Sequence, residues 1–308
     1  MMAQRRVSFV VMLAGAFAAP LPVLAQTYPE KPIRFVIPLA PGGGTDMVAR
    51  RVAQKLSDAL NQSVIPDNRP AVDGVIASEI VARARPDGYT LLFSSSSHAM
   101  NVAIGRKLPY DAIRDFSPIT QTANQQLILV VHPSLPVHSV RELIDYARAR
   151  PGKLNYGASS NAVQLPMELF NAMAGIKINY IPYKGSAPVL IDLLSGRIET
   201  SFSPALATLP HVRSNKLRAL AIGDLKRSAA FPEIPTVTES GIPNYQATAW
   251  TGVLAPAKTP APVINRLNAE VVKIVQSADF REWITQNGAD PVGSSPQEFL
   301  AFIKSEIA

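Results

Sequence analysis

The chain has 308 residues, of which 47% are hydrophobic, 17% are charged and none is cysteine. This length and hydrophobic share are those of a globular protein of about two domains, which excludes a largely disordered chain. The lack of cysteine excludes disulfide scaffolds and thiol chemistry, and the formal charge of +7 comes from scattered basic residues, unlike a nucleic-acid-binding face.

Residues 1–25 are expected to form a cleaved secretory signal. Arg5 and Arg6 precede the uncharged run 7–19, and prolines then lead to small residues that predict cleavage near Ala25. An uncleaved membrane anchor is the alternative, but the apolar stretch is short for a span of ~20 residues. Without Arg5 and Arg6 the net charge is +5. Because no cysteine could carry a lipid, we expect a freely diffusing protein in a bacterial periplasm.

Strand-like and helix-like patterns alternate along the rest of the chain. Apolar runs predict strands at 33–38, 64–66, 90–93, 127–131, 155–157, 179–181, 200–202, 217–222 and 248–254. Amphipathic spacing predicts helices at 46–60, 75–85, 139–149, 166–174, 187–195, 205–213, 261–276, 279–286 and 296–307. The Ser139–Glu142 and Ser295–Glu298 spacings are typical of capping boxes. This alternation favours α/β layers around mostly parallel sheets, with a (β/α)₈ barrel as the alternative.

The most specific local motif is the loop Pro41, Gly42, Gly43, Gly44, Thr45 and Asp46, between a strand and an amphipathic helix. Three glycines let the backbone approach a ligand closely, and the helix that follows presents free N–H groups to the loop. Such a loop can hold a carboxylate or phosphate through the main chain alone. A tight turn before the helix is the plainer interpretation. The spacing matches neither a Walker A loop nor a dinucleotide fingerprint.

Catalytic and metal-binding patterns are weak. The four histidines are scattered without metal-ligand spacing, no nucleophile elbow occurs, and no cofactor is indicated. The run from Ser94 to His98 is best interpreted as a polar loop facing a cleft. An exported hydrolase with Ser95 and His98 as its reactive pair is the alternative.

Several short motifs, taken together in chain order, resemble the Bug-type solute receptors of tripartite tricarboxylate transporters. The matching stretches are Tyr28–Arg34, Pro41–Asp46, Asp67–Pro70, Pro86–Leu91, Leu108–Asp111, His132–Pro136, Tyr180–Gly185, Lys216–Ala221, Leu254–Pro256, Arg266–Asn268 and Gly288–Gly293. They span essentially the whole chain after the signal.

The resemblance implies a two-domain α/β periplasmic-binding-protein (Venus-flytrap) fold with a two-strand hinge. Domain 1 would comprise residues 26–124 and 246–308, and domain 2 residues 125–245, with the hinge strands at 127–131 and 248–254. A small organic carboxylate would be held in the cleft by backbone N–H groups of two loops, 41–46 and 157–165.

We also expect ligand contacts from Ser95 and His98 in the polar run, from Ser159, Ser160 and Asn161 in the second loop, and from Tyr183, Ser203 and Trp250. The chain departs from the family pattern in its second loop, which is short and lacks a histidine, and at Ser203, where an Asp is common. It departs again after Arg69-Pro70, where Ala71-Val72-Asp73-Gly74 replaces a glycine-rich run.

These observations favour a monomeric, non-enzymatic binding protein that passes its ligand to membrane transporter subunits. A sensor protein in the membrane is an alternative partner, since the binding chemistry would be the same.

Overall fold

The computed structural model describes residues 28–308, so the expected signal segment lies outside the described residues. Its strands are β1 (Ile33–Ile37), β2 (Val64–Asn68), β3 (Thr90–Ser95), β4 (Phe116–Val131), β5 (Asn155–Ala158), β6 (Asn179–Pro182), β7 (Thr200–Pro204), β8 (Arg218–Ile222), β9 (Thr248–Pro256) and β10 (Ala289–Pro291). Its helices are α1 (Gly44–Leu60), α2 (Val75–Ala82), α3 (Ser97–Ala103), α4 (Val140–Arg148), α5 (Asn161–Ala174), α6 (Ser186–Leu194), α7 (Ala205–Arg213), α8 (Ala261–Gln276), α9 (Ala278–Gln286) and α10 (Pro296–Ile307). Each predicted strand and helix is found, and most ends shift by a few residues, but β4 begins at Phe116, well before its predicted start at residue 127.

The strands form one hydrogen-bonded array in the order β2-β1-β3-β9-β4-β7-β5-β6, with β8 and β10 also paired to β4. Within it β1 runs parallel to β2 and β3, and β5 runs parallel to β6 and β7. By contrast, β9 is antiparallel to β3 and β4, and β4 is antiparallel to β7 and β8. The expectation of mostly parallel sheets is therefore wrong, since the central strands make the array mixed. The barrel alternative is also wrong, because β2 and β6 are open edges.

Strand β4 belongs to two sheets. Residues 116–126 pair with β9, and residues 127–131 pair with β7 and β8. Only the second half was predicted, because the first half carries the polar run Thr120–Gln126, which lacks the apolar character of a buried strand. Those polar side chains lie where the two sheets join. The domain boundaries deduced from the resemblance stay a prediction.

Helices cover both faces of each sheet. On the first sheet, α1, α8 and α9 pack against one face around Phe35, and α2, α3 and α10 pack against the other around Leu254. On the second sheet, α4 and α5 cover one face around Phe202, and α6 and α7 cover the other around Val130. Strands buried on both faces must be apolar throughout, which explains their continuous hydrophobic runs.

Two helices begin at the serine N-caps that the sequence predicts. At α10, Ser295 accepts from the Glu298 N–H while the Glu298 side chain accepts from the Ser295 N–H, which confirms the capping box. At α4, Ser139 caps Glu142, but the Glu142 carboxylate accepts from the His138 N–H instead. Within residues 28–308, no helix combines the length and apolar character needed to cross a membrane.

Candidate ligand-binding site

The loops that follow β1, β5, β6 and β7 meet where the two sheets join. A methyl group placed on Gly43 would lie 3.1 Å from Ser186 Cβ, and one placed on Gly44 would lie 2.9 Å from Pro204 Cβ. Ser186 begins α6, and its hydroxyl lies 3.3 Å from that of Ser159 in the loop before α5. The first glycine loop thus touches the starts of α6 and α7, and the β5–α5 loop lies beside the same serine.

The shape of the first loop depends on Gly42 and Asp46. Gly42 has a φ of +83°, a conformation that favours glycine. The Asp46 carboxylate accepts from the Gly42 N–H at 2.9 Å, from Asn68 Nδ2 at 2.8 Å and from Arg50 Nε at 2.9 Å. Asp46 is 2% exposed and its oxygens are engaged. It holds the loop in place, a different task from the ligand contact that the sequence suggested.

Helix α1 begins in this loop without a cap. Gly43 is the N-cap residue, no side chain caps the helix, and Gly43–Thr45 are buried. The first N–H groups of a helix have no partner within the helix, and they carry the positive end of its dipole. The arrangement can therefore present main-chain donors to an anionic group, and the anion binding expected from the sequence stays a prediction.

A pocket of about 500 Å³ lies between the loops of the two sheets, and we call it the cleft pocket. It is lined by Leu39, Pro70, Ala71, Asp73, Ser159, Tyr180, Pro182, Tyr183 and Lys184. Burial and a hydrogen bond to Asp192 raise the pKa of Tyr183 to about 12, so its hydroxyl stays protonated and donates to that carboxylate. Of the sequence-predicted residues, Ser159 and Tyr183 line this pocket.

Four buried side chains, of which Gln125 lies beside Gly44 and Asn161 starts α5, have polar atoms without hydrogen-bond partners among the described residues. They are Ser94 Oγ, Ser97 Oγ, Gln125 Nε2 and Asn161 Oδ1. Each of the four residues is at most 2% exposed. Buried polar groups nearly always have a partner in native proteins, supplied by protein, water or ligand. Such atoms at the meeting point of two loops are typical of a site that receives a polar molecule.

The second predicted loop also contacts the first sheet. The Ser160 carbonyl accepts the N–H groups of Val163 and Gln164, which starts α5. The Asn161 N–H donates to Asp73 Oδ1 at 2.7 Å, and Asn161 Nδ2 donates to Asn101 Oδ1 at 3.0 Å. Both partners lie in elements that cover the first sheet.

His98 faces the core, which corrects the expectation that Ser94 to His98 form a cleft loop. Residues 97–103 form α3, and the buried His98 ring packs against Phe116. His98 Nε2 donates to the Ala112 carbonyl at 2.9 Å, and burial lowers the pKa of His98 to about 4. Between Ser95 and His98 no hydrogen bond occurs in the part of the chain described here, so the pair required by the hydrolase alternative is not formed.

The remaining predicted residues lie outside the lining of the cleft pocket. The Trp250 side chain packs against Phe299 and Phe302 of α10 and donates to Glu306 at 3.1 Å. Ser95 is buried at the end of β3, and the Ser203 hydroxyl lies 2.9 Å from that of Ser201. Pro41 is exposed at the tip of the first loop.

Sequence reasoning missed several residues at this meeting point, namely Asp73, Ser97, Asn101, Gln125, Tyr180, Lys184 and Ser186. Two of these residues could have been identified from a feature of the sequence. Gln125 belongs to a polar run that leads into an apolar strand, and Asp73 stands where the resemblance expects a glycine. No group of three or more potential metal-ligating side chains is found from residue 28 onward.

Comparisons with known proteins give a consistent result. The family model described as "Tripartite tricarboxylate transporter family receptor" matches residues 48–308. Protein BugT of Bordetella pertussis is 40% identical over 290 residues, which cover 93% of this chain and 89% of BugT.

Two solved structures share the fold. R. palustris Rpa4515 with adipate superposes with a TM-score of 0.89 at 38% identity, covering 91% of this chain and 95% of that one. MatC from Rhodopseudomonas palustris with bound malate superposes with a TM-score of 0.86 at 29% identity, covering 91% and 97%. The predicted α/β periplasmic-binding-protein fold is thereby confirmed.

Proposed function

This chain belongs to the tripartite tricarboxylate transporter receptor family, and from that membership we propose that it binds a small organic carboxylate between its two sheets. The receptor would hold the ligand carboxylate on the backbone N–H groups at the start of α1. It would work in the periplasm as a monomer and present its ligand to membrane transporter subunits.

The observation that carries this proposal is the buried, uncapped start of α1. Gly43, Gly44 and Thr45 combine free N–H groups with a positive helix end and exclude bulk water. Hydrogen bonds from N–H groups to a carboxylate are about twice as strong as neutral ones. Among the described residues, the carboxylate at this helix start is that of Asp46. It already accepts hydrogen bonds from Gly42, Arg50 and Asn68.

Contacts across the cleft support capture by closure. The first loop touches Ser186, and Asn161 bonds to Asp73 and Asn101. We propose that residues 26–124 with 246–308, and residues 125–245, move apart and together as two bodies joined by β4 and by the segment leading into β9. Closure would remove water from the carboxylate and strengthen its hydrogen bonds.

The ligands in the related structures suggest where to begin the ligand search. Rpa4515 contains adipate and MatC contains malate, so aliphatic acids of four to six carbons are suitable first probes.

The test is thermal unfolding and calorimetry of the mature chain against mono-, di- and tricarboxylates, aromatic acids, and uncharged amides of the same acids. A ligand at 100 times its Kd should add about 2.7 kcal/mol of stability and raise the Tm by roughly 5–10 °C. The matching amide should give no shift, because it lacks the charge. If no carboxylate shifts the Tm, or if amide and acid act alike, the proposal is wrong.

A further inference from the structure

Asp73 places a carboxylate at the start of α5. The residue lies in the short 3₁₀ turn before α2, and its side chain is 13% exposed. Oδ1 accepts the Asn161 N–H at 2.7 Å, and Oδ2 pairs with the Arg106 guanidinium at 2.7 Å. No side chain within α5 caps that helix. Asp73 therefore supplies the negative charge that this helix start attracts.

The side-chain hydrogen bonds of Asn101 and Asn161 beside Asp73 determine which polar atom of Asn161 has no partner. The Asp73 carbonyl can only accept, so the atom of Asn101 that lies 3.0 Å from it must be Nδ2. Asn101 Oδ1 then faces Asn161 and accepts from its Nδ2 at 3.0 Å. Asn161 Oδ1 remains, buried and without a partner in the described residues. A molecule that meets this atom must offer a hydrogen-bond donor.

The two helix starts at the cleft thus differ. The start of α1 is buried and carries no side-chain cap, whereas the start of α5 holds the Asp73 carboxylate. Ser186 touches Gly43 and approaches Ser159, which stands two residues before Asn161, so the two helix starts lie in the same region of the structure. Of the two cations nearby, Arg106 is paired with Asp73, and Lys184 is exposed on the lining of the cleft pocket.

We propose that Asp73 makes this receptor selective for monocarboxylates whose far end is uncharged and bears a hydrogen-bond donor, such as a hydroxyl. The ligand carboxylate would bind at α1, and the far hydroxyl would donate to Asn161 Oδ1. A second carboxylate at the far end would find the Asn161 N–H already taken by Asp73 and would meet the acceptor Asn161 Oδ1 in place of a donor. This inference rests on the proposed function and names the class of acid that the site takes.

The test compares three acids of equal length by calorimetry, for chains of four to eight carbons. At six carbons these are 6-hydroxyhexanoate, hexanoate and adipate. The wild-type protein should bind the hydroxy acid most tightly and the diacid most weakly, with the diacid on the order of tenfold weaker or more. This comparison needs no variant, so it holds even where a substitution disturbs folding.

Two variants then test whether Asp73 causes the preference for hydroxy acids over diacids. Asp73→Asn keeps the side-chain shape and removes the charge, so the ratio of hydroxy-acid to diacid affinity should fall on the order of tenfold. Asp279→Asn is the matched control: its carboxylate pairs with Lys55 and Arg51 on the outside of the protein, so it changes the net charge equally and should leave the ratio unchanged.

The outcomes separate the two proposals. A wild-type protein that binds diacids as tightly as hydroxy acids, or a ratio that Asp73→Asn leaves unchanged, overturns the selectivity inference while carboxylate binding stands. Tighter diacid binding would mean that Lys184 sets the charge preference at the far end. If no acid of any class binds, the proposed function fails as well.

Discussion

A valine at position 43 should block binding without harming the fold. Gly43 has φ −86° and ψ 167°, an extended backbone that valine adopts readily. Its Cβ, however, would lie 3.1 Å from Ser186 Cβ and 3.2 Å from Ser186 Oγ, nearer than the 3.4–4 Å of ordinary contacts. The two γ-methyl groups would add to this crowding, so the first loop and the start of α6 would have to separate.

The size of the effect follows from the cost of overpacking. Crowding of this kind costs about 1–3 kcal/mol, which weakens binding by roughly 5- to 150-fold. Gly43→Ala adds only the Cβ and should cost less, about 1 kcal/mol or below. The two loops meet in the described structure. Under the proposed opening they separate when no ligand is bound, so the stability of the ligand-free protein should change little.

The assay is calorimetry with the tightest acid found, together with urea unfolding of the ligand-free protein. Ser186→Gly removes both clashing atoms, so the Gly43→Val, Ser186→Gly double variant should regain most of the lost affinity, a coupling that a double-mutant cycle measures. Wild-type affinity for Gly43→Val would refute the reasoning. If Gly43→Val lowered the free energy of unfolding of the ligand-free protein by as much as it weakened the free energy of binding, Gly43 would be needed only for the backbone conformation of the turn.

Three further predictions concern stability and the shape of the site. Burial lowers the pKa of His98 to about 4 from 6.5, so the unfolded chain takes up the proton first. Stability should therefore fall by about 3 kcal/mol between pH 6.5 and pH 4, measured by urea unfolding, and His98→Gln should flatten that slope. Asp46→Ala removes the charged acceptor of the part-buried hydrogen bonds from the Gly42 N–H and from Asn68 Nδ2, and should cost about 2–3 kcal/mol in unfolding experiments and abolish carboxylate binding in calorimetry. Ser295→Ala removes the capping box of α10, and should lower the Tm by roughly 2–4 °C with unchanged ligand affinity; altered affinity would show that α10 influences the cleft.

Much of the fold could be predicted because its signals are local. The i+4 spacing of Val48, Val52 and Leu56 identifies the buried face of α1, and the apolar run at Ile33–Ile37 identifies a strand covered on both faces. The glycine turn and helix start between them were also predicted from consecutive residues, and the anion site proposed there stays a prediction.

Other parts could not be predicted because their signals conflict. Residues 120–126 are mostly polar where a strand buried on both faces would be apolar, since they lie where two sheets join. Ser97 and His98 begin a short helix, which was not predicted because the serine run is typical of a loop. His98 then packs against Phe116, which lies 18 positions further along the chain.

By itself, the sequence determined most of the order of the strands and helices and, through its motifs, the family, while the anion-holding character of Gly42–Asp46 stays a prediction. These properties depend on periodicity and composition within about twenty residues. Only the tertiary structure decided that Asp46 shapes its loop, that His98 faces the core, and that Asp73 occupies the start of α5. Asp73 meets Asn161 across 88 positions of sequence, and Asn161 meets Asn101 across 60. Such pairs form because strand order brings their loops to one edge, and no local pattern encodes that placement.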